Sequence, residues 1–584
     1  MKTHRILMLA CALLMCLSAL AGSEREKRIR VIATSDIHGN YLPYDFIERH
    51  PGAGGLSRVS AYVSQQRETL GSDNVLLLDN GDILQGQPTA YYYNFIDTTS
   101  QHLCAAALNF IGYDAATVGN HDIETGHAVY DRWVKECAFP MLGANVTDLA
   151  TGKPYWKPYT IIEKGGLRIA VIGMITPGIP MWLPVNLWSG MRFDDMVETA
   201  RKWMPVVREK EKADVVIGLF HSGVGDINAT GRLLENASFE VARQVPGFDL
   251  VICGHDHRVA IQKVANVDHN WVLVLNPAAQ GMNVAKADIT VKKARGGKKN
   301  VNVEGGIVPI ANIDPDAAFL EEFKRQYKAV ADFTNEVIGR SSQTISTRPA
   351  YFGPSAFIDF IHSLQLRISG ADISFAAPLS FDATIPAGEI RVADMFNLYK
   401  YENLLYVMRL TGREVKDYLE YSYGGWIAQM KSPSDHLLLF RPGAETAADA
   451  WQRLQTPSYN FDSAAGLRYV VDVRKPAGQR VTILSMADGS AFTLEKTYKV
   501  AVNSYRGNGG GGLLTKGAGI PEDSLVSRII SSTQKDLRYY LMQEIRRLHN
   551  VSPQPLNLWH FEPADWAAEA ARRDSAILFR QREK

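Results

Sequence analysis

Val31-Ile32-Ala33-Thr34-Ser35-Asp36-Ile37-His38-Gly39-Asn40 reads as a short apolar strand that runs directly into an acid, an imidazole and a glycine. The same arrangement recurs four times downstream. Val75 to Leu78 leads into Asp79-Asn80-Gly81-Asp82, and Ala115 to Val118 into Gly119-Asn120-His121-Asp122. Val215 to Leu219 leads to His221, and Leu250 to Cys253 into Gly254-His255-Asp256-His257. Amphipathic stretches that suit helices lie between the strands: Leu56 to Glu68, Ser100 to Ile111, His127 to Cys137 and Met196 to Glu211. With Ile169 to Ile172 as a further strand, this alternation predicts an α/β fold, in which strand ends converge and such groups can meet.

Any one Asp or His at a strand end is ordinarily a cap or a turn residue. Five such ends in one unit, all carrying Asp, Asn or His, suggest a shared purpose. Two divalent cations held close together need a shared carboxylate plus imidazole, amide or carboxylate donors that leave room for water. Asp36 and His38 stand two apart, so on an extended segment they could share a side, and so could His255 and His257. Gly39, Gly81, Gly119 and Gly254 would permit tight turns beside these residues.

The rest of the chain bounds the picture. Its 584 residues exceed one ordinary core, and 63 basic against 62 acidic residues give no sign of a nucleic-acid or membrane-surface binder. Lys2 and Arg5 precede an apolar run, Ile6 to Leu20, that ends in small residues. This predicts a signal peptide over 1–21, export across the cytoplasmic membrane to the periplasm, and no stable membrane anchor. Cys104, Cys137 and Cys253 have no paired spacing and read as free thiols. The expected organisation is a catalytic domain over 28–312, a connecting helix over 313–338, a second domain over 339–550 and a tail over 551–584.

The series Asp36-x-His38, Gly81-Asp82, Gly119-Asn120-His121-Asp122, His221 and Gly254-His255-x-His257 resembles the calcineurin-like metallophosphoesterases in order and spacing. From about Arg28 to roughly Arg547 the chain further resembles the branch containing secreted 5′-nucleotidases and 2′,3′-cyclic-nucleotide 2′-phosphodiesterases. The resemblance implies a four-layer α-β-β-α catalytic domain followed by an α+β 5′-nucleotidase-type C-terminal domain. It implies two divalent metal ions, with Asp36, His38, Asp82 and His257 on one. Asp82 would bridge to the second, held also by Asn120, His221 and His255. Mixed nitrogen and oxygen donors suit Zn, Mn, Fe, Co or Ni. A metal-activated water would attack phosphorus, His121 would act at the transition state, and Glu124 would orient His121.

Aligned on the same family, Tyr401 and Tyr505 would stack a nucleotide base, and the Gly507 to Gly512 loop, with Asn508 and Gly509, would approach the ligand. Gly511 stands where 5′-nucleotidases carry a ribose-binding Asp. That departure ranks a 2′,3′-cyclic-nucleotide 2′-phosphodiesterase/3′-nucleotidase ahead of a 5′-nucleotidase or nucleotide-sugar hydrolase. The reading from a different class is a non-catalytic nucleotide-binding surface protein. The expected partner is a small nucleotide substrate rather than a nucleic-acid polymer; oligomeric state is not legible.

Overall fold

The structure, a computed structural model, describes residues 26–226, 228, 231–293, 299–444, 447 and 450–579. The stretch read as a signal peptide lies outside the described residues, and among those described no helix is long and apolar enough to cross a membrane.

The N-terminal half is built on two six-stranded sheets. In the first, the strands run in the order Lys299–Pro309, Asn283–Lys293, Lys27–Thr34, Val75–Asp79, Ala115–Thr117 and Met141–Leu142. The second runs Val259–Ala265, Trp271–Pro277, Leu250–Cys253, Val215–His221, Leu167–Ile175 and Tyr159–Lys164. Alternation along each strand explains the layering. Val31 and Ala33 with Leu76 and Leu78 face Ile169, Val171, Ile217 and Leu219 across the space between the sheets. Ile32, Val75 and Leu77 point the other way, onto the outer helices Leu56–Leu70 and Leu103–Ile111. On the far side Ala170, Ile172 and Val216 pack against Met196–Pro205 and Ser238–Gln244. Strands buried on both faces read as unbroken apolar runs, and the result is a four-layer α-β-β-α arrangement.

Within each sheet the strands that carry the site run parallel: Lys27–Thr34 with Val75–Asp79, Val75–Asp79 with Ala115–Thr117, and Val215–His221 with Leu250–Cys253. Their carboxyl ends therefore emerge together.

The segment expected as one connecting helix forms two, Ala317–Glu322 and Lys324–Asn335, which part at Phe323. The C-terminal half has a five-stranded sheet in the order Ser463–Ala465, Ile373–Ala376, Thr497–Asn503, Leu405–Thr411 and Ile529–Ser532, with helices including Ala356–Ser369 and Gly412–Trp426. Of the segment expected as a tail, the described residues 551–579 are integral to this half. Trp559–Glu562 pairs in parallel with Leu467–Asp472, and Trp559 and Phe561 enter the core beside Tyr423 and Trp426. The buried Asp574 accepts from the backbone of Leu437 and Leu438 at 2.8 Å each. Cys104, Cys137 and Cys253 are free.

Candidate metal centre

Two clusters of donor atoms form where the strand ends meet. Asp36, His38 and His257 make one, and Asp82, His221 and His255 the other; within each, the donor atoms lie within 4.8 Å of one another. Asn120 joins the second through Oδ1, which is 2.8 Å from His255 Nδ1 and 3.2 Å from His221 Nε2.

Extended backbone does not produce this geometry. Asp36, His38, Asp82, His255 and His257 all have positive φ, from 50° to 71°. The left-handed region costs an L-residue with a side chain on the order of 1–2 kcal/mol and persists only where the surroundings enforce it. Here the turns lock one another. Asp36 N–H donates to Gly81 O at 2.9 Å, His38 N–H to Asp82 O at 3.0 Å, and His255 N–H to Asp36 Oδ1 at 3.1 Å. Asp36 and His38 thus share a cluster through left-handed turns rather than strand alternation. His255 and His257, which spacing alone would let share a side, enter different clusters, the division that the family resemblance implies.

Two motif carboxylates serve as scaffold. Asp122 accepts from the backbone N–H of Gly119, Asp82, Ile83 and Leu84 at 2.7 to 2.9 Å, fixing both loops. Asp79 accepts from Thr34 Oγ1 at 2.6 Å. Gly119 and Gly254 act by clearance rather than by turning: a Cβ would lie 2.0 Å from Asp82 Oδ1 at Gly119, and 2.5 Å from Asp36 Oδ2 at Gly254.

Hydrogen bonding assigns the free nitrogens. His38 Nδ1 faces Gln85 O at 3.2 Å and His221 Nδ1 faces Asn80 O at 2.7 Å. Carbonyls only accept, so both Nδ1 atoms carry the proton and both Nε2 atoms point inward. His38 Nε2 then meets His257 Nε2 at 2.9 Å, and His221 Nε2 meets Asp82 Oδ2 at 3.2 Å. Asp82 Oδ2 is buried with no hydrogen-bond partner. Leaving a carboxylate oxygen unsatisfied in the interior is costly, so a convergence of acceptors around it calls for positive charge. The electrostatics point the same way: burial lowers the His221 pKa, but Asp82 and Asp36 outweigh burial and hold it at about 10, so without an ion Nε2 keeps a proton facing Asp82 Oδ2 that a bound cation would displace. Burial raises the Asp82 pKa, yet His221 and His121 keep it well below the usual carboxylate range. For His38 burial dominates and lowers the pKa to about 4, leaving the neutral imidazole that ligates metals. The donor set fits divalent cations.

His121 stands beside the clusters. Its N–H donates to Asp82 Oδ1 at 2.8 Å, and its Nδ1 lies 2.6 Å from Glu124 Oε2. Burial lowers its pKa, but Asp82 and Glu124 raise it to about 9. With Nδ1–H given to Glu124, Nε2 is the nitrogen left for the cavity that His121 lines. That cavity, about 980 Å³, runs from Asn120, His121 and His255 to Tyr401, Tyr459 and Tyr505 of the C-terminal half. The two predicted tyrosines therefore reach the centre's cavity, but Asn508 and Gly509 are not among its lining residues. Asn508 Nδ2 instead donates to Trp182 O at 3.2 Å, joining the two halves. The glycine loop wraps its own protein: a Cβ at Gly510 would lie 2.5 Å from the Tyr505 ring, and one at Gly511 would lie 2.4 Å from Arg506 Nη1. Arg506 is buried on Asp462 at 2.8 Å, so glycine serves packing there rather than ligand approach.

Several cavity residues had no signal in the sequence. Tyr459 and Trp182 both line the cavity, and Trp182 stacks on His255 with centroids 5.6 Å apart. Glu235 Oε1 lies 3.1 Å from His255 Nε2. This bond gives His255 Nε2 the proton and leaves Nδ1 free, the carboxylate–histidine arrangement that orients metal ligands. Glu235→Gln is expected to weaken binding of Mn or Zn by ~10- to 100-fold, read by calorimetric titration of the metal-free protein. Unchanged affinity would show that His255 needs no such support.

The comparisons agree with this geometry. Residues 29–259 match the calcineurin-like phosphoesterase family, and 337–516 match the 5′-nucleotidase C-terminal domain. The trifunctional nucleotide phosphoesterase protein YfkN of Bacillus subtilis is 28% identical over 92% of this chain, which spans 39% of that protein's length. A 2′,3′-cyclic-nucleotide 2′-phosphodiesterase/3′-nucleotidase of Yersinia enterocolitica is 26% identical over 98% of this chain and 95% of its own. In fold, the chain resembles a putative 5′-nucleotidase from Staphylococcus aureus, with a TM-score of 0.75 and 22% identity over 91% of this chain and 99% of that one. Matched in both halves, the chain carries a calcineurin-like phosphoesterase domain followed by a 5′-nucleotidase C-terminal domain, and it is a metal-dependent phosphoester hydrolase.

Proposed function

We propose that this protein hydrolyses 2′,3′-cyclic nucleotides and then the 3′-nucleotides they yield, using two divalent cations. The observation that carries the metal reading is the convergence of Asp82 Oδ2, a buried carboxylate oxygen that makes no hydrogen bond, with His221 Nε2 at 3.2 Å and His255 in one donor cluster. Asp36, His38 and His257 would hold one cation, Asn120, His221 and His255 the other, and Asp82 would bridge. When bound, such ions supply Lewis acidity, an activated water and charge neutralisation at phosphorus. Nitrogen-rich donors suit Zn, Mn, Fe, Co or Ni better than Mg.

The remaining work falls to the chain. His121, with Nδ1–H on Glu124, presents Nε2 to the cavity and would pass a proton to the departing sugar oxygen. Tyr401 and Tyr505 would stack the base at ~1–3 kcal/mol per base, a contact that tolerates any base. Gly510 and Arg506 hold the Tyr505 ring from behind; the guanidinium carbon lies 5.3 Å from the ring centroid. Relatives named for 2′,3′-cyclic and 3′-nucleotides that align over 89% to 95% of their own length support the order of substrates. Lys2, Arg5 and the apolar Ile6 to Leu20 run support export to the periplasm.

Purified protein given equal 2′,3′-cyclic AMP, 3′-AMP, 5′-AMP and UDP-glucose is expected to consume the first two fastest and to stop on chelation. Faster cleavage of 5′-AMP by a wide margin would reverse the order.

A further inference from the structure

Glu402 follows Tyr401 and lines the same cavity, yet it belongs to neither the metal clusters nor the aromatic wall. It is 8% exposed, and only one of its oxygens is satisfied. Oε1 accepts from Arg538 Nη1 at 3.1 Å; Oε2 is buried with no hydrogen-bond partner. Arg538 cannot swing round to cover it. Its Nε donates to Tyr399 O at 3.0 Å, its Nη2 to Lys400 O at 2.7 Å, and its guanidinium lies 4.1 Å from the Phe396 ring centroid. A buried acceptor pinned in this way is retained at a cost unless something else supplies a donor.

The cavity narrows the identity of that donor. Glu402 shares the cavity with His121 and Glu124 as well as with its chain neighbour Tyr401, and burial, reinforced by the Glu124 and Asp536 carboxylates, pushes its pKa up to about 7 despite Arg538. A carboxylate repels phosphate, and a base stacked on tyrosine presents its face to the ring. In a nucleotide the sugar is joined to both, and its hydroxyls are neutral donors. Gly511 offers no rival carboxylate, because Arg506 occupies the space a side chain would need. Resting on the nucleotide reading above, we propose that Glu402 Oε2 binds a free hydroxyl of the substrate's sugar and so selects for an intact ribose.

The test uses the wild-type holoenzyme with 3′-AMP, its 2′-deoxy and 5′-deoxy analogues, and 3′-IMP, which lacks the exocyclic amine. One deoxy analogue is expected to lose roughly 10- to 100-fold in kcat/KM, the scale of a hydrogen bond to a charged group, while 3′-IMP stays within about threefold. In Glu402→Ala that analogue and 3′-AMP should converge to within about twofold. Metal content and hydrolysis of p-nitrophenyl phosphate, which has no sugar, report the state of the fold. The proposal is overturned if neither deoxy analogue loses rate on the wild type, if 3′-IMP loses it instead, or if Glu402→Ala discriminates as the wild type does. Should Glu402→Ala not fold, with Arg538 left unpaired, the wild-type series decides alone. If the wild type cleaves only 5′-AMP, the substrate order above fails, and 5′-AMP with its 2′- and 3′-deoxy analogues decides the role of Glu402.

Discussion

Asp82→Asn is expected to lower kcat by on the order of 10³-fold or more and to leave the protein with fewer than two tightly bound metal ions. Asp82 has two distinct jobs, one per oxygen. Oδ1 accepts from His121 N–H at 2.8 Å, a bond an amide oxygen can keep. Oδ2 is buried, makes no hydrogen bond and lies 3.2 Å from His221 Nε2. Asparagine would put an NH₂ there, its donors directed at the place where positive charge is required. The shape of the side chain barely changes, and Asp122 would still hold Asp82 N–H at 2.9 Å, so the fold should survive. Elemental analysis and kcat on 3′-AMP check both halves of the expectation. Full activity with two metals bound would falsify the bridging role.

His121→Asn should behave differently, and the contrast is informative. It is expected to lose ~10²- to 10⁴-fold in kcat on nucleotides, whose leaving oxygen is a poor sugar alkoxide that needs a proton. On p-nitrophenyl phosphate, whose leaving group departs without one, the loss should stay under about tenfold. Metal content should not change, since His121 lies outside both donor clusters. Equal losses on both substrates would mean that His121 neutralises charge on the phosphoryl group rather than protonating the leaving oxygen. Loss of metal would instead make it a structural residue. Glu124, bonded to Nδ1 at 2.6 Å, should share the leaving-group dependence at smaller amplitude if its work is to keep the tautomer.

Much of this centre is legible in residue order alone. Apolar runs ending in Asp36, Asp82, Asn120, His221 and His255 announce parallel strands with chemistry at their carboxyl ends, because burial on both faces leaves strands no polar positions until they exit the sheet. Residue types limit the ions that such donors can hold. Spacing alone did not give the division of these residues between two clusters, although the family resemblance implied it. Residue type does not reveal that Asp36, His38, Asp82, His255 and His257 adopt positive φ, since that backbone state is imposed by bonds between loops far apart in sequence, such as Asp36 N–H to Gly81 O. A spacing of two therefore suggested that His255 and His257 share a side, whereas the turns send them to separate clusters.

The C-terminal half divides in the same way. Tyr401 and Tyr505 could be picked out by aligned motifs, but the glycine loop's purpose could not, because only the packed structure puts Arg506 and the Tyr505 ring where side chains would otherwise stand. Glu235 carries no motif, and Glu402 follows Tyr401 in the aligned segment with no role that the motif assigns. What marks them is a nitrogen of His255 in one case and an unpaired buried oxygen in the other. By itself, then, the sequence determined the α/β class, the strand ends and the set of candidate metal-binding side chains, since these depend on local pattern and residue chemistry. Tertiary structure alone decided by which backbone turns these residues reach their clusters, how the tyrosines meet the centre and which carboxylates contact it. Those outcomes depend on backbone turns and contacts between residues hundreds of positions apart.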